Sequence, residues 1–404
     1  MKSGAFRWLG IVAAAAVAAV LGYKSLAIHL AARATSSENV ALAAPVVSHS
    51  AEAASWIAML HLAQGQAGAA EDMARLSLRT SPINPRAISV LAAVSHAQGD
   101  KMAAAQLLSL ATSAGWREPL VQYWILSAAL EAGQPELAAE RADALLRQGV
   151  SEDQVVAHLR QLLATPQGRS AVAARLADHP MWRSRLLRQL SDLSPPQLRA
   201  HSQLLLAMRS AGVEPRPEEI ASLVRRLMDT GDFQRARDVW TALVEDGRRT
   251  LVHDGSFEAL GDRTARETAA FEWTMTDPLG IRAAVELPPR PLAGRAVRVS
   301  AEGGAAGVFL EQSVVLLPGH YSLELATLEA EGAELRTLRP RLQCVGGPSI
   351  SPRFLGAAGA GWSRLHFRFE VPAGCPAQRL GLGLSGEGAG RVGLWLDEVS
   401  ISAL

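Results

Sequence analysis

Two hydrophobic rhythms divide the chain. In the last third, apolar positions recur at every second residue. "RLHFRFEV" (364–371) puts Leu365, Phe367, Phe369 and Val371 on one face and His366, Arg368 and Glu370 on the other, the alternation of a half-buried strand. "RAVRVSA", "HYSLELAT" and "RLGLGLS" keep that period, with turn segments such as "LPGH" and "VPAGCP" between strands. Many short strands with regular turn signals predict an antiparallel β-sandwich over 250–404. The closing stretch "VGLWLDEVSIS" (392–402) alternates as well. By parity Trp395, Asp397, Val399 and Ile401 share its inward face, so Asp397 requires a partner, because an unpaired buried carboxylate costs several kcal/mol.

Over 51–249 the rhythm is helical. "ASWIAMLHLAQGQAGAAEDMARLSL", "AISVLAAVSHAQGDKMAAAQLLSLA" and "QYWILSAALEAGQPELAAERADALL" superimpose, with turn glycines Gly65, Gly99 and Gly133 spaced 34 residues apart. Five residues after each stands an alanine: Ala70, Ala104 and Ala138. Glycine ends the first helix of each pair, and alanine lets two helices cross closely. A constant period predicts pairs stacked in the same way. A later unit repeats the pattern with Gly231, Ala236 and Trp240, but Gly231 lies 98 residues after Gly133, four short of three periods. The units between are therefore irregular.

The first residues have a different character. Lys2 and Arg7 precede an uncharged run from Trp8 to Tyr23. The run is slightly short of the ~20 residues that span hydrocarbon, but Lys24 can snorkel and the helix can extend. Residues 8–24 predict a transmembrane signal anchor, 1–7 its cytoplasmic end and 25–50 a linker, which sends the bulk of the chain to the far side of the membrane. A cleaved signal peptide is the rival, although none of the small residues that could mark a cleavage site follows the apolar run closely. The fold class is thus multidomain, α then β: a transmembrane helix, a helical solenoid and a sandwich.

Charge excludes one class of partner. Forty basic residues against 39 acidic ones give a net charge of +1, without the basic excess that marks nucleic-acid binding. Cys344 and Cys375 are the two cysteines. In an oxidising compartment they pair as one disulfide; the alternative is two buried thiols.

The repeat spacing, turn glycine and small crossing residue resemble the tetratricopeptide repeat. Pro82 matches its closing proline, whereas Trp116 and Val150 replace that proline in the later units, and the second unit lacks the first-helix aromatic. A second resemblance covers 254–404. "DGSFE" (254–258), "FEW" (271–273), "LEQSVVLLPGHYSLEL" (310–325), "GWSRLHFRFEVP" (361–372) and "LWLDEVSI" (394–401) occur in the order seen in carbohydrate-binding-module jelly rolls of the galactose-binding-like type.

In such modules the opening acidic motif and closing aspartate lie side by side, frequently around structural calcium. The resemblance therefore implies Glu258 and Asp397 as ligands, or Asp397 capping backbone amides of the opening segment without metal. It also implies glycan recognition by stacking aromatics. Trp273, between Glu272 and Thr274, is the candidate exposed ring, with a core tryptophan as its alternative, while Phe367, Phe369 and Tyr321 follow core parity. A site of aromatics and amides would suit neutral glycans.

No catalytic pattern emerges. HExxH, a GxSxG elbow and a Walker loop are missing from the sequence, and "GAAGAG" (356–361) leads into a strand rather than a phosphate-holding helix. The expectation is a binding protein and not an enzyme. It would be a single-pass protein of the bacterial inner membrane with its bulk in the periplasm. Its repeats would hold a protein partner and its jelly roll a polysaccharide, in surface or exopolysaccharide assembly. The alternative is a purely structural scaffold of an envelope secretion or export complex.

Overall fold

A computed structural model describes residues 50–115, 117–150, 152–244, 250–261, 268–290, 294–331, 337–358, 361–386 and 392–404. The expected cytoplasmic end, the anchor over 8–24 and all but the last residue of the linker lie outside the described residues, as do 245–249. Among the described residues, no helix is long and apolar enough to cross a membrane. Twelve helices precede eleven strands there. The chain separates into two compact units, Met1–Leu159 and Arg160–Leu404, so the expected division at 249/250 falls inside the second.

The first unit is built from helical hairpins: α1 (Ala51–Ala63) with α2 (Ala67–Thr80), α3 (Pro85–Ala97) with α4 (Lys101–Gly115), and α5 (Pro119–Glu131) with α6 (Pro135–Arg147). One turn recurs in all three. Gly65, Gly99 and Gly133 adopt positive φ angles of 74°, 89° and 65°. Each glycine N–H donates three residues back, and the next N–H donates five residues back, from Gln66 to His61, Asp100 to Ser95 and Gln134 to Ala129. This paired closure satisfies the last carbonyls of the first helix. The same Gln66, Asp100 and Gln134 carbonyls then accept from Ala70, Ala104 and Ala138, opening the second helix. All three alanines are buried. Ala58, Ala70, Ala74 and Ala87 join Val90 and Val94 in one apolar cluster between neighbouring helices. Contacts one repeat apart tie successive hairpins: Arg86 donates to Glu52 at 2.7 Å, 34 residues away, and its guanidinium lies 3.8 Å over the Trp56 ring.

Helix α7 (Glu152–Leu162) runs across the division between the units. In the second unit α8 (Pro166–Leu176), α9 (Arg183–Arg188) and α10 (Pro195–Ser210) lead to the hairpin of α11 (Pro217–Asp229) and α12 (Phe233–Val244). That hairpin uses the same turn: Gly231 has φ 81°, Asp232 N–H donates to Leu227 and Ala236 N–H to Asp232. The irregular stretch is held differently, by a buried forked ion pair. Arg183 Nε and Nη2 donate to the two Glu219 carboxylate oxygens at 2.7 Å each. Arg183 also donates to the Leu176 and Glu214 carbonyls, and Glu219 accepts from the Arg216 N–H. A buried pair with its hydrogen bonds met in this way is tolerated, whereas removing one partner is strongly destabilising.

The strands form two antiparallel sheets. One has β1 (Thr274–Met275), β4 (Ala306–Val314), β10 (Gln378–Ser385), β6 (Leu338–Cys344) and β7 (Ser349–Ile350) in that order. The other runs β2 (Ile281–Glu286), β3 (Ala296–Ala301), β11 (Val392–Ala403), β5 (Gly319–Glu331), β9 (Ser363–Val371), β8 (Arg353–Ala358). Their inner faces share one hydrophobic core that includes Leu365, Phe367, Phe369 and Val371, the face read from alternation. Cys344 at the end of β6 and Cys375 before β10 are disulfide-bonded.

Helix α12 docks on this sandwich. Trp240 is fully buried, its ring centroid 4.6 Å from that of His253 and 5.6 Å from that of Phe271. The Arg237 guanidinium covers both the Trp240 and Phe271 rings, at 4.8 and 5.3 Å. Arg209 closes the end of α12 by donating to the Ala242 and Leu243 carbonyls. The last hairpin and the sandwich thus share a core.

Trp240→Ala in the full chain is expected to lower unfolding free energy by about 3–5 kcal/mol. Denaturant titration followed by both helical and aromatic signals checks this, and a loss under about 1 kcal/mol would contradict the shared core.

Candidate functional site

Inward parity in β11 breaks at one point. Asp397 pairs with Ala326, but the next paired residue, Ser400, lies opposite Glu324. Glu398 and Val399 therefore face the single residue Leu325, a β-bulge. Glu398 takes a left-handed φ of 50°, and its N–H is held by Asp397 Oδ1 at 2.7 Å. The extra residue reverses the alternation. Leu394 and Leu396 face the core before the bulge, Val399 and Ile401 after it. Trp395 and Asp397 lie on the opposite face from these four, which corrects the parity count. Both are nonetheless buried: the Arg298 guanidinium lies over the Trp395 ring, and Asp397 sits among the carboxylates of the opening segment.

The bulge frees Val399 to hold the opening segment. Its N–H donates to the Gly255 carbonyl at 2.8 Å. A Cβ on Gly255 would come within 1.9 Å of the Val399 carbonyl oxygen, so the two backbones touch. Asp254 caps this turn by accepting from the Glu258 and Ala259 N–H groups at 2.8 and 3.0 Å. The two ends of the sandwich are tied, but through Val399 backbone rather than the Asp397 side chain.

Trp273, expected as an exposed stacking ring, belongs to this closure instead. It is 4% exposed, packs 5.5 Å from the Phe257 ring and donates its Nε1–H to the Asp254 carbonyl at 3.1 Å. Only its edge reaches the surface, where it contributes to the lining of a neighbouring cleft. A cleft of about 430 Å³ reaches the rim of the same region, between Arg225, Asp254 and Glu272. Its acidic groups are already engaged, Asp254 as above and Glu272 at the Ala269 N–H.

The calcium arrangement implied by the resemblance does not fit these residues. Glu258 Oε1 accepts from the Arg295 N–H at 3.0 Å and lies against Gly294, while Asp397 serves Glu398. Calcium takes six to eight oxygens, and among the described residues no group of three or more His, Cys, Asp or Glu side chains is placed to hold a metal.

Burial raises the Asp397 carboxyl to about 6; the Glu398 amide opposes this, and the nearby Glu398, Glu258 and Asp254 carboxylates add to it.

An exposed aromatic ring is found elsewhere. Phe354 on β8, the edge strand of the six-stranded sheet, is 44% exposed. It pairs in register with Phe367, their centroids 5.3 Å apart, so a core ring supports it from behind. Beside it a cleft of about 590 Å³ is lined by Leu338, Arg339, Pro340 and Arg341 of β6, Ser351, Pro352, Phe367 and Ser385. An apolar ring beside hydrogen-bonding side chains in a cleft this size suits a small polar ligand with one apolar face. Sequence reading did not select Phe354. "RFLGAA" has no alternation, because almost every residue of this edge strand is solvent-facing, and that lack of a buried face was the available signal.

The sequence matches no protein-family model and no curated protein. Among solved structures the chain is similar to the enzymatically active domain of tailspike protein 4 of bacteriophage CBA120, at 15% identity over 38% of this chain and 21% of that one, TM-score 0.26. It is similar to TmCBM61 in complex with β-1,4-galactotriose, at 15% identity over 39% of this chain and 100% of that one, TM-score 0.27. The CBM22-1 xylan-binding domain of Paenibacillus barcinonensis Xyn10C follows at 14% identity over 33% and 86%, TM-score 0.24. With every score below 0.5, the sandwich rests on its own strand order and not on these neighbours.

Asp397→Asn keeps an oxygen for the Glu398 N–H and removes the titration. A carboxyl raised in the folded state contributes stability that is full at low pH and lost as pH rises from about 4 through about 6. The variant is expected to match the parent near pH 4 and exceed its stability by about 1–2 kcal/mol near pH 7.5. His201, whose pKa burial lowers to about 4, acts in the opposite sense but cancels in the difference. Unfolding curves across pH check this, and a gap that does not grow with pH would refute it.

Proposed function

We propose that this chain is a membrane-anchored periplasmic adaptor of the bacterial envelope, in surface or exopolysaccharide assembly. Its hairpins act as a tetratricopeptide-type solenoid for a protein partner, and its sandwich binds polysaccharide. The observation that carries glycan binding is Phe354, an aromatic ring held out over a cleft by a buried ring behind it. Stacking such a ring on the apolar face of a sugar is a standard use of an exposed aromatic. The repeated turn supports the partner-binding part, since equivalent hairpins present equivalent side chains at a fixed period. Lys2 and Arg7 ahead of the apolar run support the anchor, and the disulfide supports an oxidising compartment.

One observation favours the second reading, a scaffold of a secretion or export complex without glycan affinity: of the two residues first expected at a glycan or metal site, Trp273 is buried in the fold and the exposed Glu258 is engaged by the Arg295 N–H.

Affinity electrophoresis of the detergent-solubilised full chain in gels of envelope polysaccharides separates the two. Retardation by at least one polysaccharide, weakened about tenfold or more by Phe354→Ala with the melting curve unchanged, is expected. Free migration in every gel would leave the scaffold reading.

A further inference from the structure

The outer face of the six-stranded sheet, away from the Phe354 cleft, carries two arginines in an arrangement that works against the fold. Arg353 on β8 pairs in register with Arg368 on β9, and the next pair in register is Phe354 with Phe367. Phe367 is a core residue, so its pair shares the inward side and alternation turns Arg353 and Arg368 together to the outer side. Their Cβ atoms are then about 5 Å apart, and like charges directly opposite on antiparallel strands repel. Both residues are exposed. Among the described residues, neither guanidinium forms an ion pair or a hydrogen bond.

The acids of this face are engaged elsewhere or stand apart. Glu324 on β5 is held by His366 Nδ1 at 3.2 Å and lies 4.0 Å from Arg364, and Glu398 pairs with Arg364. The one acid of β9, Glu370, stands across from His320. Ser322 on β5 lies opposite Arg368, so a hydroxyl and two guanidiniums form one row across three strands. Next to this row the sheet surface sinks into a depression of about 450 Å³ whose lining includes Ser322, Arg368, His366, Leu355, Gly356 and Leu404. Gly356 stands opposite His366 and, lacking a side chain, keeps that part of the surface low. Ala358, the last residue of β8, is about 16 Å along the strand from Arg353, so the row sits at the fully described end.

An anion bound between the two arginines removes the repulsion. A phosphomonoester brings a charge of about −1.5 to −2 and three strong acceptor oxygens, which matches two guanidiniums and a hydroxyl. A carboxylate has one charge and two oxygens and leaves one of the three donors unmet. We propose that this row binds an organic phosphomonoester, with Arg353 and Arg368 on the phosphoryl oxygens, Ser322 donating to one of them and the organic part in the adjoining depression. The site lies on the opposite side of the sheet from Phe354 and does not depend on glycan binding there.

Calorimetric titration of the detergent-solubilised full chain with glucose 6-phosphate, and separately with inorganic phosphate, tests this. The ester is expected to bind more tightly than phosphate alone, and less tightly as salt is raised from about 50 to about 300 mM. Arg353→Gln and Arg368→Gln are each expected to weaken it about tenfold or more, while Phe354→Ala leaves it unchanged. Without ligand, either arginine variant relieves the repulsion and is expected to melt no lower than the parent, so lost binding is not lost folding. Equal binding of the two probes marks a site for the free anion and overturns the ester assignment. No binding of glucose 6-phosphate, or binding that survives both arginine substitutions, overturns the site itself. An arginine variant that melts below the parent shows its guanidinium engaged in the fold and overturns it as well.

Discussion

The sandwich depends on the contact between Val399 and Gly255. Strand β11 comes last in order among the described strands, yet it lies in the interior of the six-stranded sheet, between β3 and β5. Strands β2 and β3 join β5, β9 and β8 only through it. A central strand must present its apolar face correctly on both sides, and β11 does so by a change of register at the bulge. Val399 then leaves the ladder and bonds to the opening segment. Asp397 stabilises the left-handed Glu398 that makes this geometry, while the Glu398 side chain pairs outward with Arg364 on β9. A residue in left-handed conformation without glycine is strained by about 1 kcal/mol or more, and a carboxylate on its amide is a direct way to offset that.

A second constraint joins α12 to the sandwich. Trp240, Phe271 and His253 form an aromatic cluster with a guanidinium across two of the rings. Phe271 and the opening segment, including Trp273, are part of the same closure that Val399 completes. Within the second unit, the turn of the last hairpin, the shared aromatic core and the tied ends of the sandwich therefore form one connected system. Trp273, the ring expected to serve recognition, is used for cohesion, and the exposed ring lies instead on the edge strand β8.

How much of this could be read in advance follows from the length scale of each device. The hairpins were legible because Gly65, Gly99 and Gly133 and their alanines encode turn and crossing locally, at a fixed spacing. Strand β9 was legible because both its neighbours leave one clean face buried. The bulge was not, since Glu398 carries none of the glycine signal that usually marks a left-handed residue, and one extra residue inverts every parity before it. The Arg183–Glu219 pair spans 36 residues between helices and has no periodic trace. Phe354 escaped because an edge strand with both faces wet has no alternation to find. The disulfide was readable as a pair because only two cysteines exist.

The Phe354 cleft at β8 and the fold's closure at β11 lie three strand boundaries apart in the same sheet, so the frame has to be secure before the cleft means anything. Gly255 is the position where that frame is most directly exposed to test, since no side chain atom can be added there without meeting the Val399 carbonyl. The decisive measurement is equilibrium unfolding of the full chain carrying Gly255→Ala. Closure through this contact predicts a loss of about 3 kcal/mol or more. A variant as stable as the parent would show that the sandwich holds its last strand by other means.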